Sequence, residues 1–426
     1  MSNRIHIKQG RVLDPASNTD AITDLFIAQG KIVAIGSPTP DFQADQTIDA
    51  RGLVVSPGFI DLSCHLREPG QSQKGDINSE TKAAVASGIT RICCPPDTSP
   101  AIDTAAVATL IQDKVAAAGH CKVSLLGAMT QGLKGKQLSE MYTLKEAGCI
   151  GISNGWQPFA NNQTLQRCLE YAHTFDLVYF SKPLDSSLAG NGCVHEGPAA
   201  TRLGLPVVPT VAETVAVSRD ILLAEHVGIR IHFCQLSSAR AVKLVADAQR
   251  AGLPVTADVS AHQLRFTDEC LYGYESLYHL RPPLRSFDDL DGLKTGIKNG
   301  TVAALCSDHQ PHEPAAKMAP FPATAPGISA LETLLPLALT LVTEGTLSLM
   351  ALIEKLSLAP AKILGVDEGR ICVGGPADLC IFDPDKQWVL SADSMVSKGK
   401  NSPLLGQTLT GQVQHTLVDG RLCFST

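Results

Sequence analysis

One pattern in the middle of the chain restricts the fold more than any other feature of the sequence. Between Pro57 and Gly365, helical segments end at a glycine and an apolar run follows, as in TKAAVASGITRICC and ILLAEHVGIRIHFC. Glycine there favours a left-handed helix C-cap, and such an apolar run is typical of a buried parallel strand. The pattern predicts eight parallel strands, near residues 59–63, 89–94, 122–127, 149–152, 176–181, 229–235, 254–259 and 302–307.

Eight parallel strands joined by crossover helices predict an α/β fold of the TIM (β/α)8 barrel type. The two chain ends instead alternate apolar and polar residues, which is typical of half-buried strands. RIHIKQGRVLDP and DLFIAQGKIVAIG each predict a strand, a Gln-Gly turn and a second strand, and GQVQHTLVDGRLCF predicts a hairpin at Asp419-Gly420. We therefore expect residues 1–56 and 366–426 to form one small β-sandwich, and residues 57–365 to form the barrel.

Composition excludes several classes of partner. The chain of 426 residues is 44% hydrophobic and 18% charged, which is ordinary for a globular protein. A formal net charge of −7 without a basic run argues against nucleic acid, and no apolar segment is long enough to span a membrane. Thirteen scattered cysteines without a C-x-x-C pair, together with a polar N-terminal sequence, predict reduced thiols in a cytoplasmic protein.

The ends of the predicted barrel strands are where a TIM barrel carries its functional side chains. A hydrolytic metal site there needs several histidines or carboxylates around one open position. His65 and Asp308 are the clearest donors, with His232 or His262 as a further one, and the ammonium group of Lys182 would repel a cation. Because His232 lies inside an apolar run, its position favours a core histidine over a ligand.

Several motifs occur in a recognisable order along the chain. PGFIDLSCHLREPG is similar to the pattern PGFID-x-H-x-H-LREPG, and PPDTSPAID is similar to MPNT-x-P. CVHEGPAATRLGLP, HFCQLSSAR, VSAHQLRFTDE, RPPLR, SDHQPH and PGISALETLLPL follow in register. On these motifs the chain resembles the class I dihydroorotases of the amidohydrolase superfamily over nearly its whole length. The resemblance implies an amidohydrolase-type barrel with a β-sandwich.

The resemblance also places the metal ligands of that family on this sequence. The six ligand positions fall in chain order on Ser63, His65, either Ser153 or Asn154, Lys182, Gln235 and Asp308. Asp308 matches the aspartate that is both a ligand and the general base of the family, so it is a vestigial base here. With His65 and Asp308 as the remaining ligands, we expect no bound metal and no other cofactor, and zinc only if the chain is active.

The positions that hold the substrate carboxylate in the family are partly kept. Arg67 and His312 match residues that bind dihydroorotate, whereas the matching asparagine is Asp97 here. A carboxylate at that position would repel an anionic substrate and compete for Arg67. The resemblance therefore implies a vestigial binding site at Arg67, Asp97 and His312.

Three functional hypotheses follow. The superfamily includes non-catalytic dihydroorotase-like chains that some bacterial aspartate carbamoyltransferases require for assembly, and this sequence is similar to them in its Ser, Lys and Gln replacements. This resemblance implies a structural subunit in de novo pyrimidine (UMP) biosynthesis that self-associates and binds the carbamoyltransferase catalytic chain. The second hypothesis is an active metal-dependent dihydroorotase, a cyclic amide hydrolase that interconverts dihydroorotate and N-carbamoyl-aspartate. The third is a small-molecule sensor with an anion site at Arg67, Lys182 and His312.

Overall fold

The computed structural model describes residues 4–426, so the first three residues of the predicted segment 1–56 lie outside the described part. Its strands are β1 (Ile5–Asp14), β2 (Thr19–Ala28), β3 (Lys31–Ile35), β4 (Gln46–Asp49), β5 (Val54–Pro57), β6 (Phe59–Asp61), β7 (Ile89–Cys94), β8 (Lys122–Ala128), β9 (Cys149–Ser153), β10 (Val178–Ser181), β11 (Val194–His195), β12 (Val207–Val208), β13 (Ile231–Phe233), β14 (Val255–Ser260), β15 (Ala304–Cys306), β16 (Leu379–Val389), β17 (Thr408–Val418) and β18 (Arg421–Ser425). Its α-helices are α1 (Ile77–Ala86), α2 (Ala105–Ala118), α3 (Met141–Glu146), α4 (Asn162–Thr174), α5 (Ser186–Ala189), α6 (Pro198–Leu203), α7 (Thr210–Val227), α8 (Ala239–Arg250), α9 (Phe287–Lys298), α10 (Leu334–Thr343), α11 (Leu349–Leu356) and α12 (Leu358–Leu364).

The predicted barrel is confirmed. Its eight strands form one parallel sheet in the order β6-β7-β8-β9-β10-β13-β14-β15, and each overlaps a predicted strand. The ring closes just beyond the strand ends, where Cys64 and His309 form a parallel bridge. The amide of His309 donates to the Ser63 carbonyl at 3.0 Å, and the amide of His65 donates to the His309 carbonyl at 2.9 Å. The segments after the first and last strands are therefore held side by side at the barrel mouth.

Glycines end the helices as the sequence predicts. Gly228 follows α7 with a φ of 80°, and its amide donates to the carbonyl of Ala224. Gly88 follows α1 with the same φ of 80°. A Cβ at Gly88 would lie 2.4 Å from the sulfur of Cys380 in β16, so this position also allows close packing between the barrel and the terminal sheet.

The two chain ends share one sheet, as predicted for the sandwich. β16 pairs antiparallel with β5, and the strand order is β18-β17-β16-β5-β1-β2-β3, with β4 beside β1. This sheet surrounds its own apolar core, which is separate from the cores of the barrel. The core comprises Ile5, Ile7, Val12, Leu25, Ile27, Ile32, Ile48, Ala50, Val55, Ile371, Ala377, Leu379, Ile381 and Leu417.

One of the two predicted Gln-Gly turns is wrong. Gln29-Gly30 does connect β2 to β3, but Gln9-Gly10 lies inside β1, whose register with β2 shifts between Ile7 and Gly10. Gln9 takes a φ of 56°, and its amide donates to the Asp24 carboxylate of β2 at 2.8 Å. Because that bond keeps the irregular residue attached to the neighbouring strand, the dipeptide forms a bulge instead of a turn.

The described residues also bear on two predictions from composition. All thirteen cysteines lie within residues 4–426, where none is in a disulfide and ten are buried. None of the helices in that range is both long and apolar enough to cross a bilayer.

Candidate functional site

Asp308 lies at the centre of the barrel mouth, where the chain leaves β15. It is buried and takes a φ of 46°. One carboxylate oxygen, Oδ1, accepts a hydrogen bond from Ser63 Oγ at 3.0 Å, and Oδ2 accepts one from Gln310 Nε2 at 3.0 Å. The position that resembles the general base of the family is therefore held by neutral donors on both oxygens.

Lys182, just after β10, adds a positive charge to this carboxylate. Its Nζ lies 3.7 Å from Asp308 Oδ1, and its side chain is only 5% exposed. Burial opposes ionisation of Asp308, but the charge of Lys182 and the hydrogen bond from Ser63 contribute to a pKa below the ordinary value. Lys182 Nζ has no hydrogen-bond partner in the described chain and lies 5.2 Å from the ring centre of Trp156. Lys182 thus compensates the charge of Asp308 from within the protein.

His65 pairs with Asp97 at the same mouth. Its Nδ1 lies 3.1 Å from Asp97 Oδ1, and burial lowers the pKa of His65, so the neutral ring donates Nδ1–H to the carboxylate. Burial opposes ionisation of Asp97, but the hydrogen bond from His65 and the charges of Lys182 and Arg67 hold its pKa below the usual range. The sequence predicted that Asp97 competes for Arg67. In the structure, Asp97 contacts His65 and attracts Arg67 through its charge without an ion-pair contact.

Gln235 binds Asp258 through two nitrogens. Its backbone amide donates to Asp258 Oδ1 at 2.7 Å and its side-chain Nε2 donates to the same atom at 3.3 Å. The acceptor-only carboxylate fixes the side-chain amide with its nitrogen toward Asp258, which leaves Oε1 without a partner among residues 4–426. At this predicted ligand position, the side-chain nitrogen is bound to Asp258.

His232 is a core histidine, as its place in an apolar run indicates. Its Nε2 lies 2.9 Å from Asp258 Oδ2 and its Nδ1 lies 2.8 Å from Thr256 Oγ1. Within residues 4–426, one group of three histidine, cysteine or acidic side chains has ligand atoms close enough to share a metal ion. It consists of His232, Cys234 and Asp258. Since both histidine nitrogens and both carboxylate oxygens already have partners, the group is a closed hydrogen-bonded network.

The residues predicted after the other strands also have local partners. Asn154 accepts from Thr130 Oγ1 at 2.7 Å, and its Nδ2 donates to the Gln157 carbonyl at 2.9 Å. Ser153 Oγ accepts from the amide of Gly155 at 3.0 Å. Neither residue is available as a bridge between metal ions.

Arg67 and His312 contact each other near the first and last strands. Arg67 Nε donates to the Pro311 carbonyl at 3.2 Å, and its Nη2 lies 3.3 Å from His312 Nε2. His312 Nε2 donates to the Pro326 carbonyl at 3.0 Å, and burial together with the charge of Arg67 lowers the pKa of His312 to about 3. The two vestigial binding residues are thus brought together, but their ring and guanidinium nitrogens also bind backbone.

The residues at the mouth do not fit a divalent metal ion. A structural or catalytic zinc needs at least three protein donors, and the six ligand positions retain His65 and Asp308. Of the further predicted donor candidates, His232 is used in the interior. His262 Nδ1 has no partner in residues 4–426, but it does not form a group of three converging ligand atoms with His65 and Asp308. A buried lysine 3.7 Å from Asp308 adds repulsion to this poor donor set.

A cavity of about 440 Å³ opens beside this cluster, on the side of Gln235. Its lining includes four side chains with polar atoms that the pattern of barrel-strand ends did not predict: Trp156, Glu213, Arg281 and Arg285. Glu213 comes from the first turn of α7 and the two arginines from the segment between β14 and α9. Both arginines belong to the motif RPPLR. The two charged residues around a proline pair were the feature of the sequence that could have indicated a functional segment.

Comparison with known proteins is consistent with this fold. Residues 52–241 match the dihydro-orotase-like family, and residues 210–423 match the amidohydrolase family. A dihydroorotase-like protein of Pseudomonas aeruginosa is 52% identical, covering 98% of this chain and 99% of the relative. A dihydroorotase of Trichlorobacter lovleyi is 42% identical, with coverage of 98% and 99%. The solved L-hydantoinase (dihydropyrimidinase) of Arthrobacter aurescens superposes with a TM-score of 0.86 at 26% identity, covering 99% of this chain and 96% of that one.

Proposed function

We propose that this chain, which belongs to the dihydroorotase-like family, is a non-catalytic subunit that supports assembly of aspartate carbamoyltransferase in de novo pyrimidine biosynthesis. The observation that carries the proposal is the position of Lys182, whose Nζ lies 3.7 Å from Asp308 Oδ1. An internal ammonium group at that distance takes the electrostatic role that a bound cation has in an active amidohydrolase.

The state of Asp308 also argues against hydrolysis. A general base works best with a pKa near the working pH and with a lone pair free for the proton it removes. Asp308 has a lowered pKa, and Ser63 and Gln310 each donate a hydrogen bond to one of its oxygens. Both effects stabilise the ionised carboxylate and make it a weak base.

The intact architecture supports a role for the surface of the protein. The barrel closes, the helices keep their caps and the two chain ends share one sheet, while the ligand positions carry Ser63, Lys182 and Gln235. Selection for a folded surface without selection for metal chemistry leaves this combination. The proposed partner is the catalytic chain of the carbamoyltransferase in the cytoplasm, in a complex that contains more than one copy of this chain.

Co-expression with that catalytic chain tests the proposal. We expect the two chains to co-elute as one complex, and the carbamoyltransferase activity to fall when this chain is omitted. Lys182→Met/Asp308→Asn, which removes the vestigial base together with its compensating charge, should leave both the complex and its activity unchanged. Separate elution, with equal activity in the presence and absence of this chain, would reject the assembly role.

A second candidate function is an active cyclic amide hydrolase. It is favoured by the relative from Trichlorobacter lovleyi, which is named a dihydroorotase, and by the retention of His65 and Asp308. An assay with dihydroorotate separates the two candidates, provided that the chain is expressed in and purified from a host that lacks its own dihydroorotase. Turnover that disappears in Asp308→Asn would establish the hydrolase, and absence of turnover supports the non-catalytic subunit.

A further inference from the structure

The outer side of helix α7 exposes three apolar side chains. Val211, Val215 and Leu222 are 47%, 39% and 65% exposed. They follow one another at intervals of four and seven residues, so they lie along one line of the helix. Ala216 and Val217 are buried on the inner side. A helix that is apolar on both sides is typical of one whose outer side is covered by another protein surface.

Two neighbouring elements extend this line into a patch. Leu188 of α5 is 42% exposed and Val207 of β12 is 37% exposed. Both elements pack against the start of α7, where Ala189, Val208 and Ala212 share one small core. Five of the fifteen exposed large apolar side chains of the described residues therefore lie together. We call them the α7 face: Leu188, Val207, Val211, Val215 and Leu222.

Charge makes a second copy of the chain a partner that fits the α7 face. From Val211 to Leu222, the outward line of α7 has no charged side chain, and the adjacent Arg219 is paired with Asp220 at 2.8 Å. The chain has a formal net charge of −7, so two copies repel each other wherever their acidic surfaces meet. Because the α7 face is neutral, two copies can make contact there without that repulsion.

The two ends of α7 also carry complementary charge. Its N-cap is Pro209, which gives no side-chain hydrogen bond to the first turn, and Glu213 of that turn binds Ser237. The N-terminal end of a helix is electropositive and the C-terminal end is electronegative. The exposed Glu225 lies near the C-terminal end, where its charge is unfavourable for its own helix. An antiparallel second copy brings that carboxylate close to an electropositive helix start.

We infer that the α7 face binds the same face of a second copy of this chain, with the two α7 helices antiparallel about a two-fold axis beside Ser218. In such a symmetric contact, each residue pair occurs twice with the copies exchanged. Val215 of each copy meets Leu222 of the other, and Glu225 of each copy lies near the first turn of the other. The small side chain of Ser218 lets the helices approach closely at the axis. The inference goes beyond the assembly role, since this pairing needs no carbamoyltransferase chain.

Sedimentation equilibrium of the full chain alone tests the inference. We expect the parent to have about twice the 45.0 kDa mass of one chain. Leu222→Glu places two charges in the contact and should raise the dimer dissociation constant by at least about a hundredfold. Leu110→Glu is the matched control, because Leu110 of α2 is 44% exposed and lies outside the α7 face. Glu225→Gln should weaken the dimer about tenfold.

Cross-linking tests the position of the axis. A residue beside a two-fold axis lies next to its own copy, so Ser218→Cys should form a disulfide-linked dimer under mild oxidation, as seen by non-reducing gel electrophoresis. Thr109→Cys, at an exposed position of α2, is the matched control and should stay uncrosslinked like the parent.

Several results would overturn the inference. They are a parent that stays monomeric at every concentration, a Leu222→Glu variant as dimeric as Leu110→Glu, and equal cross-linking of Ser218→Cys and Thr109→Cys. If the parent is monomeric alone and Leu222→Glu prevents co-elution with the carbamoyltransferase chain, the α7 face binds that chain and not a second copy. Cross-linking of Ser218→Cys decides the matter even if Leu222→Glu fails to fold.

Discussion

The two sides of the barrel mouth contain the same kinds of residues in opposite states. On the Asp308 side, the carboxylate receives hydrogen bonds from Ser63 and Gln310, and the charge of Lys182 lies 3.7 Å away. On the Glu213 side, one carboxylate oxygen lacks a partner within residues 4–426, and Arg281 lacks an acid. The difference teaches that the charge of Asp308 is compensated by a cation at the mouth itself, whereas Arg281 on the Glu213 side has no acidic partner within residues 4–426.

The largest expected effect comes from removing the internal cation on the Asp308 side. Lys182→Met leaves Asp308 buried without a compensating charge, which should lower the free energy of unfolding by about 3–5 kcal/mol. The double variant Lys182→Met/Asp308→Asn should recover most of that loss, as measured by chemical denaturation. Exposed Lys136→Met is the matched control, and a loss in Lys182→Met no greater than in Lys136→Met would break the comparison.

Acid sensitivity sharpens the comparison at His262. Burial lowers the pKa of His262 to about 4, against an unfolded value of about 6.5, so the unfolded chain takes up the proton first as the pH falls. This residue should therefore reduce the free energy of unfolding by about 2 kcal/mol between pH 7 and pH 5. His262→Gln should remove that part of the pH dependence, while exposed His226→Gln should keep it. If the free energy of unfolding of the two variants fell equally with pH, His262 would not be the source of this acid sensitivity.

A smaller effect is expected at Ser63. Ser63→Ala deletes one of the two neutral donors to the Asp308 carboxylate and should cost about 1–2 kcal/mol of unfolding free energy. Ser187→Ala removes a similar bond to Asp185, but at the exposed start of α5, where water replaces the hydroxyl. We expect thermal or chemical denaturation to detect the first change and to show little for the second. An equal loss of unfolding free energy at both sites would mean that water reaches Asp308 and replaces the lost hydroxyl.

No measurable gain is expected from restoring a single ligand. Ser63→His adds one imidazole, yet Lys182 still contributes its charge and Gln235 still faces Asp258. The purified variant should contain no more zinc than the parent and should not hydrolyse dihydroorotate. The triple variant Ser63→His/Lys182→His/Gln235→His has enough donors and should acquire zinc. Stoichiometric zinc in the single variant would show that Lys182 does not exclude a cation.

The sequence predicted the barrel well because its signals are local. A glycine after a helix predicts a helix end, and an apolar run predicts a buried strand, whatever the rest of the chain does. Gly88 and Gly228 both follow helices and take a positive φ. The dipeptide Gln-Gly does not predict one structure, since it forms a turn at Gln29 and a bulge at Gln9. The bond from Gln9 to Asp24 decides this difference, and it joins residues from two strands.

The site was predicted in part for the same reason. Strand ends indicated Ser63, Lys182 and Asp308, and the barrel does bring these residues together. The pairing of His65 with Asp97 could not be predicted, because it depends on side-chain directions in two separate loops. Arg281 and Glu213 escaped for a different reason: neither follows a barrel strand directly, and their common cavity exists only in the folded chain.

The zinc content of the purified chain tests the central claim most directly. The protein is incubated with an excess of zinc, desalted and analysed by inductively coupled plasma mass spectrometry, alongside an active dihydroorotase treated in the same way. With Lys182 beside Asp308 and two donors left at the ligand positions, we predict far less than one zinc ion per chain. One or two ions per chain, lost on substitution of Asp308, would contradict the account.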